Sequence, residues 1–248
     1  MKIKVINPNT TARMTQIIGA TAASVANQET EIIACNPQMG PVSIESHYDE
    51  AFSAIGVLDE VRKGEAEGID GYVIACFGDP GLYAARELAH GPVIGIAEAA
   101  MHTASFLATG FSIVTTLERT CHTARELVDR YGMTRFCRNI RAVELSVLSL
   151  ETDSQAQAML LHECQTALRH DQSGAIVLGC AGMAHWATSI NQTLQVPVID
   201  GVSAAVKLVE AIASLQLKTS KHGDFAFPIS KPFTGWIEPF SLEQLPQD

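Results

Sequence analysis

The sequence predicts an α/β fold of two pseudo-symmetric lobes, each a parallel sheet flanked by helices in a Rossmann-like or flavodoxin-like arrangement. Short runs rich in β-branched residues alternate with longer segments of helical spacing. These runs are apolar throughout, which is typical of strands buried on both faces of a parallel sheet. Similar turns also follow corresponding strands in the two halves of the chain. We therefore expect the functional site in the cleft between two similar lobes.

Eight segments have the length and composition of strands. They are Ile3–Ile6, Glu31–Ala34, Gly71–Ala75, Val93–Ile96, Phe111–Thr115, Arg141–Leu145, Ala175–Gly179 and Val196–Ile199. Between them, segments such as His47–Glu67 and Asp153–His170 have the spacing and helix-forming composition of amphipathic helices.

A repeated turn relates the two halves. The stretch VIACFG at 73–78 and the stretch VLGCAG at 177–182 each place a cysteine and then a glycine after an apolar strand. The two cysteines, Cys76 and Cys180, lie 104 positions apart. The alternative is that any two α/β halves share such short patterns by chance.

Two further elements repeat in the same order. A Thr-rich turn follows a strand in KVINPNTT (4–11) and in SIVTTLERT (112–120). A Pro-Val-Ile run leads into an Ala pair after Pro92 and again after Pro197. Ligands in open α/β sheets bind beyond the carboxyl ends of the strands, so these turns should line one shared cleft. The predicted division is residues 1–97 plus 206–248 for the first lobe and residues 98–205 for the second.

Composition and charge exclude several classes of partner. The chain has 248 residues, 47% of them hydrophobic, and a formal net charge of -10. Nucleic acids and anionic membranes need clustered Lys and Arg, and the sequence contains no such cluster. Neither a secretory signal nor an apolar run long enough to span a membrane is present, so we expect a cytoplasmic protein.

The six cysteines predict neither a disulfide framework nor a metal site. A reducing compartment disfavours disulfides, and the sequence has no Cys-x-x-Cys or His-Glu-x-x-His motif. Phosphate-binding glycine motifs are also missing. We therefore predict no metal and no cofactor.

The paired cysteine turns predict acid–base chemistry. Each cysteine lies between a strand and a turn that leads into a helix, and Asp79-Pro80 resembles a helix N-cap followed by Pro at the first helical position. Free N–H groups at a helix start would stabilise a thiolate and lower its pKa. Two such thiols on opposite walls predict proton removal from one face of a carbon acid and delivery to the other face.

The remaining thiols and histidines fit structural roles better. Cys35, Cys121, Cys137 and Cys164 have no matched partners and are interpreted as packing residues. His185 follows Cys180 by five residues and could pair with it for hydrolytic catalysis. We favour a packing or solvated His185, because the first repeat has Gly81 at the equivalent position.

At these residues the chain resembles the aspartate/glutamate/hydantoin racemase superfamily. Within it the chain resembles the hydantoin racemase family, most closely the branch that acts on allantoin. The resemblance covers nearly the whole chain and rests on the stretches VINPNTT, GPVSIE, GYVIACFGDPGL, GPVIGIAEAAMH, VTTLERT, IVLGCAGM and VPVIDGV.

The resemblance implies a cofactor-independent, two-lobed homo-oligomer that uses paired cysteines as acid and base on a small-molecule substrate. By that resemblance Cys76 and Cys180 are the catalytic pair. Substrate-contact roles carry over to Pro8, Asn9, Ser43, Phe77, Gly78, Thr115, Thr116, Ala181, Gly182 and Met183. Amino-acid racemases of the superfamily carry Asn-Thr after the cysteine to bind a carboxylate. This chain has Phe-Gly and Ala-Gly instead, which disfavours free amino acids.

The resemblance therefore implies inversion of allantoin at C5 of the hydantoin ring, in purine catabolism. One alternative is a racemase of other 5-substituted hydantoins, and the superfamily also includes a decarboxylase and an isomerase that use cysteine turns. A decarboxylase plan needs only one cysteine, so the matched pair disfavours it. An alternative of another class is a two-lobed module that binds a small molecule without turnover.

Overall fold

Two parallel four-stranded sheets form the centre of the molecule, one in each half of the chain. The computed structural model describes residues 1–242. The strand order is β2-β1-β3-β4 in the first sheet and β6-β5-β7-β8 in the second, so the two orders correspond strand for strand. The predicted fold class is confirmed, and the repeat in the sequence corresponds to a repeat in topology.

The elements follow one another as alternating strands and helices. The strands are β1 (Lys2–Ile6), β2 (Glu31–Cys35), β3 (Gly71–Ile74), β4 (Val93–Gly95), β5 (Phe111–Thr115), β6 (Cys137–Ala142), β7 (Ala175–Leu178) and β8 (Val198–Asp200). The helices are α1 (Ala12–Val25), α2 (His47–Glu67), α3 (Leu82–Leu88), α4 (Ile96–Leu107), α5 (Thr120–Arg130), α6 (Ser149–Thr152), α7 (Ala156–His170), α8 (Ala187–Leu194) and α9 (Gly201–Ser214). A short 3-10 helix, Ala181–Trp186, precedes α8.

Strand β6 is the element whose predicted position is wrong. Its sequence, CRNIRA, lies at the edge of the second sheet and carries polar and charged residues, so it lacks the apolar signal of the inner strands. The apolar residues Val143 and Leu145 that suggested a strand are buried, but they follow β6 as irregular backbone. The other seven strands begin within two residues of their predicted starts, and α2 has its predicted bounds.

The two halves exchange their covering helices. Helix α4 follows the first sheet, but its Ala100 and Met101 are buried together with Phe111 and Val177 of the second. Helix α9 follows the second sheet, but Val202, Val206 and Val209 are buried with Ile3 and Val73 of the first. The chain therefore crosses between the lobes twice, and each crossing helix completes the core of the other lobe.

The repeated Ala pairs lie where the crossing helices meet. Ala99 of α4 and Ala205 of α9 belong to one buried cluster, and small side chains let two helix backbones approach closely. Gly201, at the start of α9, lies directly against Ile96 of α4, because a Cβ there would overlap the Ile96 carbonyl oxygen. The predicted lobe division at 97/98 and 205/206 stays a prediction, and its last residues, 243–248, lie outside the described part of the chain.

The segment after α9 packs on the first lobe. Lys221 Nζ donates hydrogen bonds to the carbonyl oxygens of Arg86 and Glu87, at 2.6 and 2.9 Å, and Arg62 donates to the Pro239 carbonyl at 2.9 Å. Among residues 215–242, this segment contains only short 3-10 turns. Within residues 1–242, no helix is long and apolar enough to cross a membrane.

Candidate active site

A cleft between the lobes receives both repeated cysteines. Its empty volume is about 610 Å³, part of it open to solvent. The turns that follow β1, β3, β5 and β7 all reach this cleft, because the carboxyl ends of parallel strands meet at one edge of each sheet. The residues that line it are Asn9, Met14, Ile44, Glu45, Ser46, Glu50, Ala75, Cys76, Phe77, Gly78, Thr115, Thr116, Thr120, Thr123, Ala124, Val147, Gly179, Cys180 and Ala181.

Cys76 follows β3 in a tight turn that ends against helix α4. Asp79, with a φ of 45°, accepts hydrogen bonds from the N–H groups of Ala97 and Glu98 at 3.1 and 3.0 Å. Its carboxylate also accepts the Tyr131 hydroxyl at 2.7 Å. The prediction that Asp79 caps the next helix along the chain is therefore wrong. It caps α4, and it thereby fixes the Cys76 turn to the helix that crosses to the second lobe.

Burial raises the pKa of Asp79 to about 7, although the hydrogen bonds from Tyr131, Ala97 and Glu98 lower it. The carboxylate is almost fully buried, at 2% exposure. A carboxyl group with three donors and little water satisfies its acceptors internally. Asp79 is thus a structural anchor of the turn, and it does not line the cleft.

Cys180 follows β7 and stands at the N-terminus of a helical segment. It is the N-cap residue of the 3-10 helix Ala181–Trp186, and its carbonyl accepts the Met183 N–H at 3.1 Å. The N–H groups of Gly182 and Met183 also face the Cys180 thiol and lower its pKa. The predicted placement of a thiol at a helix start describes this cysteine better than Cys76, which faces the Gly78 N–H alone.

Backbone N–H groups lower the pKa of both thiols, as expected, but burial outweighs this effect at each of them. Burial raises the pKa of Cys180 to about 11, and this effect exceeds the opposing contribution of the Gly182 and Met183 N–H groups. Burial raises the pKa of Cys76 further, and the charges of Glu50, Cys180 and Asp79 add to it. Removing a thiolate from water costs more than a few backbone dipoles return. The charge of a Cys180 thiolate is one of the contributions that raise the Cys76 pKa, which is consistent with two thiols that lie within electrostatic range of each other across the cleft.

The first turn of each lobe is held by its own polar side chains. Asn9 Oδ1 accepts the Thr11 N–H at 2.9 Å and an Asn7 N–H at 2.9 Å, so the loop into α1 is fixed beside the cleft. In the second lobe, the Thr115 hydroxyl donates to the Gly179 carbonyl at 3.1 Å. That bond joins the Thr turn directly to the strand end that carries Cys180.

Most of the predicted contact residues meet at the cleft. Asn9, Phe77, Gly78, Thr115, Thr116 and Ala181 line it together with both cysteines. Pro8, Ser43, Gly182 and Met183 do not line it. The Met183 side chain is fully buried in the core of the second lobe, so only its backbone faces Cys180. A substrate contact remains a prediction for each of these ten residues.

Two acidic residues in the cleft were missed by the sequence reasoning. Glu45 and Glu50 lie before and inside the first turn of α2, which begins at the cleft. Glu45 ends the stretch GPVSIE, and the Ser46 side chain caps α2 by accepting the Asp49 N–H. A Ser-x-x-Asp helix start after the second strand was the available signal, because helices that follow strands begin at the site edge of such sheets.

The other cysteines and His185 do not reach the cleft. Cys121 and Cys164 are buried in the second-lobe core, and Cys35 and Cys137 pack against apolar clusters. His185 is exposed and lies in a separate groove beside Arg13 and Trp186. The interpretation of the four cysteines as packing residues is confirmed, and the hydrolytic pairing of His185 with Cys180 has no support.

Comparison with known proteins identifies the family. The model of the Asp/Glu/Hydantoin racemase family matches residues 3–209. The chain belongs to the Asp/Glu/hydantoin racemase family. It is 51% identical to a hydantoin racemase of Pseudomonas sp. (strain NS671) over 98% of both chains. The protein is therefore an isomerase, specifically a racemase.

Two solved structures of this racemase family share the whole fold. The structure of allantoin racemase from Klebsiella pneumoniae is 56% identical in sequence, with a TM-score of 0.96, and the match covers 97% of this chain and 99% of that one. Allantoin racemase from Pseudomonas fluorescens is 38% identical, with a TM-score of 0.91, over 95% of this chain and 100% of the other. The similarity thus includes both lobes and the cleft between them.

Proposed function

We propose that this racemase inverts the C5 carbon of allantoin, with Cys76 and Cys180 as its two bases. The observation that carries the proposal is that both thiols line one cleft, each from the corresponding turn of its own lobe. The similarity to allantoin racemases over nearly the whole chain favours this substrate among hydantoins.

The reaction moves one proton through a stereocentre. A thiolate on one wall takes the C5 proton, and the electron pair left on carbon delocalises into the adjacent ring carbonyl as an enolate. The thiol on the opposite wall then donates its proton to the other face of C5. The protein ends with thiol and thiolate exchanged, and the mirror-image substrate uses the reverse assignment.

The cleft offers groups suited to a planar ring of amides. The hydroxyls of Thr120 and Thr123 and the carboxylates of Glu45 and Glu50 can accept hydrogen bonds from ring and ureido N–H groups. The Gly78 N–H group, which lines the cleft beside the Cys76 sulfur, supplies a donor for a developing enolate oxygen. Allantoin carries more N–H donors than a 5-alkyl hydantoin, so the two cleft carboxylates favour it.

Polarimetry on single enantiomers of allantoin tests the proposal. The wild-type protein should abolish the optical rotation of either enantiomer, and Cys76→Ser and Cys180→Ser should each lose net racemisation by about a thousandfold or more, as expected when a catalytic base is removed. In deuterium oxide, each single variant should still exchange the C5 proton of one enantiomer only. Cys164→Ser, at a thiol buried in the core, is the matched control and should retain activity. Full racemisation by either active-site variant would reject the two-base scheme.

A racemase of other 5-substituted hydantoins is the second candidate, favoured by the 51% identical hydantoin racemase. Comparing kcat/KM for allantoin and for 5-benzylhydantoin separates the two. A higher kcat/KM for 5-benzylhydantoin would show that the enzyme prefers hydantoins with an apolar 5-substituent. Size-exclusion chromatography with light scattering tests the proposed homo-oligomer.

A further inference from the structure

The glycines of the two Cys turns pack against different chemistry. A Cβ on Gly78 would overlap the Glu50 carboxylate, whereas a Cβ on Gly182 would meet the Leu150 methyl carbon Cδ1 at 3.2 Å. Glu50 belongs to α2, the helix after β2, and Leu150 belongs to α6, the helix after β6. Strands β2 and β6 hold the same place in their sheets. Corresponding spaces beside the two thiols therefore hold an acid in one lobe and an apolar side chain in the other.

The Glu50 carboxylate lies against Gly78 of the first Cys turn, and few other charged groups surround it. Its side chain is 23% exposed, and His47 Nδ1 lies 3.6 Å away at the rim. Glu126 and Arg130 of α5 also face it, with opposite effects on its pKa. Burial raises the pKa of Glu50, and His47 opposes this. The carboxylate thus lines the cleft beside Cys76 with one exposed histidine as its nearest ion-pair partner.

The charged groups around Cys180 are arranged differently. Glu45 is the acid that acts on it, and Glu45 Oε1 already accepts the Val147 N–H at 2.7 Å. Glu45 and Val147 each precede the first helix after the edge strand of their lobe, so this bond joins corresponding segments across the cleft. Beside Cys76, the Glu50 carboxylate lies directly against Gly78, whereas the apolar Leu150 occupies the corresponding place beside Cys180. The negative field is therefore stronger on the Cys76 side.

We infer that Glu50 is a positioning residue that keeps the proton on Cys76, so that Cys180 is the first of the two thiols to ionise. A carboxylate beside a thiol disfavours a second negative charge there. The order of the thiol pKa values agrees, because burial and Glu50 raise the pKa of Cys76 beyond that of Cys180. The inference rests on the proposed two-thiol chemistry of this cleft.

The difference between the pKa values of the two thiols has a kinetic consequence. The enantiomer whose C5–H faces Cys180 reacts with the more populated thiolate form of the enzyme, and its mirror image reacts with the less populated form, which has a Cys76 thiolate. Because the two enantiomers have equal free energy, kcat/KM must be the same for both. The difference between the thiol pKa values therefore appears as a lower KM and a proportionally lower kcat for one enantiomer.

Alkylation of the individual thiols tests the inference directly. Iodoacetamide reacts with thiolates, and both cysteines are partly accessible. Peptide mapping by mass spectrometry between pH 7 and 10 gives a rate for each cysteine. In the wild type, Cys180 should react faster than Cys76. Glu50→Gln keeps the shape of the side chain and should accelerate Cys76 on the order of tenfold, since one charge a few ångström away shifts a pKa by about one unit.

Glu45→Gln is the matched variant on the other side. Its amide oxygen can still accept the Val147 N–H, and it should accelerate Cys180 while leaving Cys76 unchanged. Glu50→Asp retains the charge and should restore slow alkylation of Cys76. Glu50→Gln should also narrow the KM difference between the enantiomers, and Glu45→Gln should widen it. A purely structural role for Glu50 would accelerate both thiols alike.

Three results would overturn the inference: faster reaction of Cys76 in the wild type, an unchanged rate ratio in Glu50→Gln, or equal acceleration of both thiols. The alkylation rates do not depend on the substrate. If they follow the expected pattern while no hydantoin is racemised, the thiol assignment stands and the proposed function fails. If racemisation occurs with the opposite alkylation order, only the role of Glu50 is rejected.

Discussion

Replacing Tyr131 with phenylalanine tests the polar link between the first Cys turn and the second lobe. The Tyr131 hydroxyl donates to the Asp79 carboxylate, which also caps helix α4 through two N–H groups. Both side chains are removed from most solvent, so water cannot replace the lost bond fully. The change should therefore lower the free energy of unfolding and leave the cleft residues in place.

The expected magnitudes follow from the contacts. Tyr131→Phe should cost about 2 kcal/mol, the range of a hydrogen bond to a charged acceptor. Asp79→Ala should cost about 4 kcal/mol, made up of that bond, about 1 kcal/mol for the lost cap and about 1 kcal/mol for alanine in a left-handed conformation. Because both changes break the same bond, the double variant should cost about 2 kcal/mol less than the sum.

Urea unfolding at pH 8, where Asp79 is ionised, measures these free energies. Far-UV circular dichroism and the fluorescence of Trp186 and Trp236 should give coincident transitions, which a single free energy requires. Tyr83→Phe, at a tyrosine that is 46% exposed, is the matched control and should change the free energy by less than about 0.5 kcal/mol. A coupling below about 0.5 kcal/mol between Asp79 and Tyr131 would refute the proposed anchor.

Two further predictions concern the crossing helices and the thiols. Gly201→Ala should destabilise the protein by about 3 kcal/mol in urea unfolding, because its Cβ would overlap Ile96. Gly132 has no neighbouring atom within 4 Å but a φ of +70°, so the control Gly132→Ala should cost only about 1 kcal/mol. Equal costs for the two variants would contradict the close approach of α4 and α9. Because burial raises the pKa of Cys180 to about 11, kcat/KM should increase with pH, by about tenfold per unit between pH 6 and 9. A plateau above pH 7 would indicate a thiolate stabilised far more than the buried position allows.

The sheets were predictable because their strands carry unmixed signals. Seven strands are short, mostly apolar runs, and the repeat around Cys76 and Cys180 indicated that both halves have one topology. Strand β6 was misplaced because edge strands are stabilised partly by charged contacts, here Arg141 with Asp171 at 2.6 Å, and not by a continuous apolar pattern. The strand ends, and hence the turns at the cleft, followed from the same signals.

The site was predictable where it belongs to the repeat and hidden where it does not. Both cysteines, Asn9 and the two threonines lie in repeated turns. Glu50 lies inside a helix whose sequence also fits a solvated face, and only its contact with Gly78 reveals its place in the cleft. The raised thiol pKa values were also hidden, since the cost of burial depends on what packs around a residue and not on its neighbours in sequence.

The exchange of α4 and α9 between the lobes affects how a fragment containing half of the chain could fold. A fragment that ends with α4 would send that helix away from its own sheet and would lack the α9 residues that pack with Ile3, Val5 and Val73. The terminal helix of a second copy could take the place of α9, as in domain-swapped dimers. The full-length protein therefore has the architecture of such a swapped pair joined in tandem, in which a helix from each half completes the core of the other.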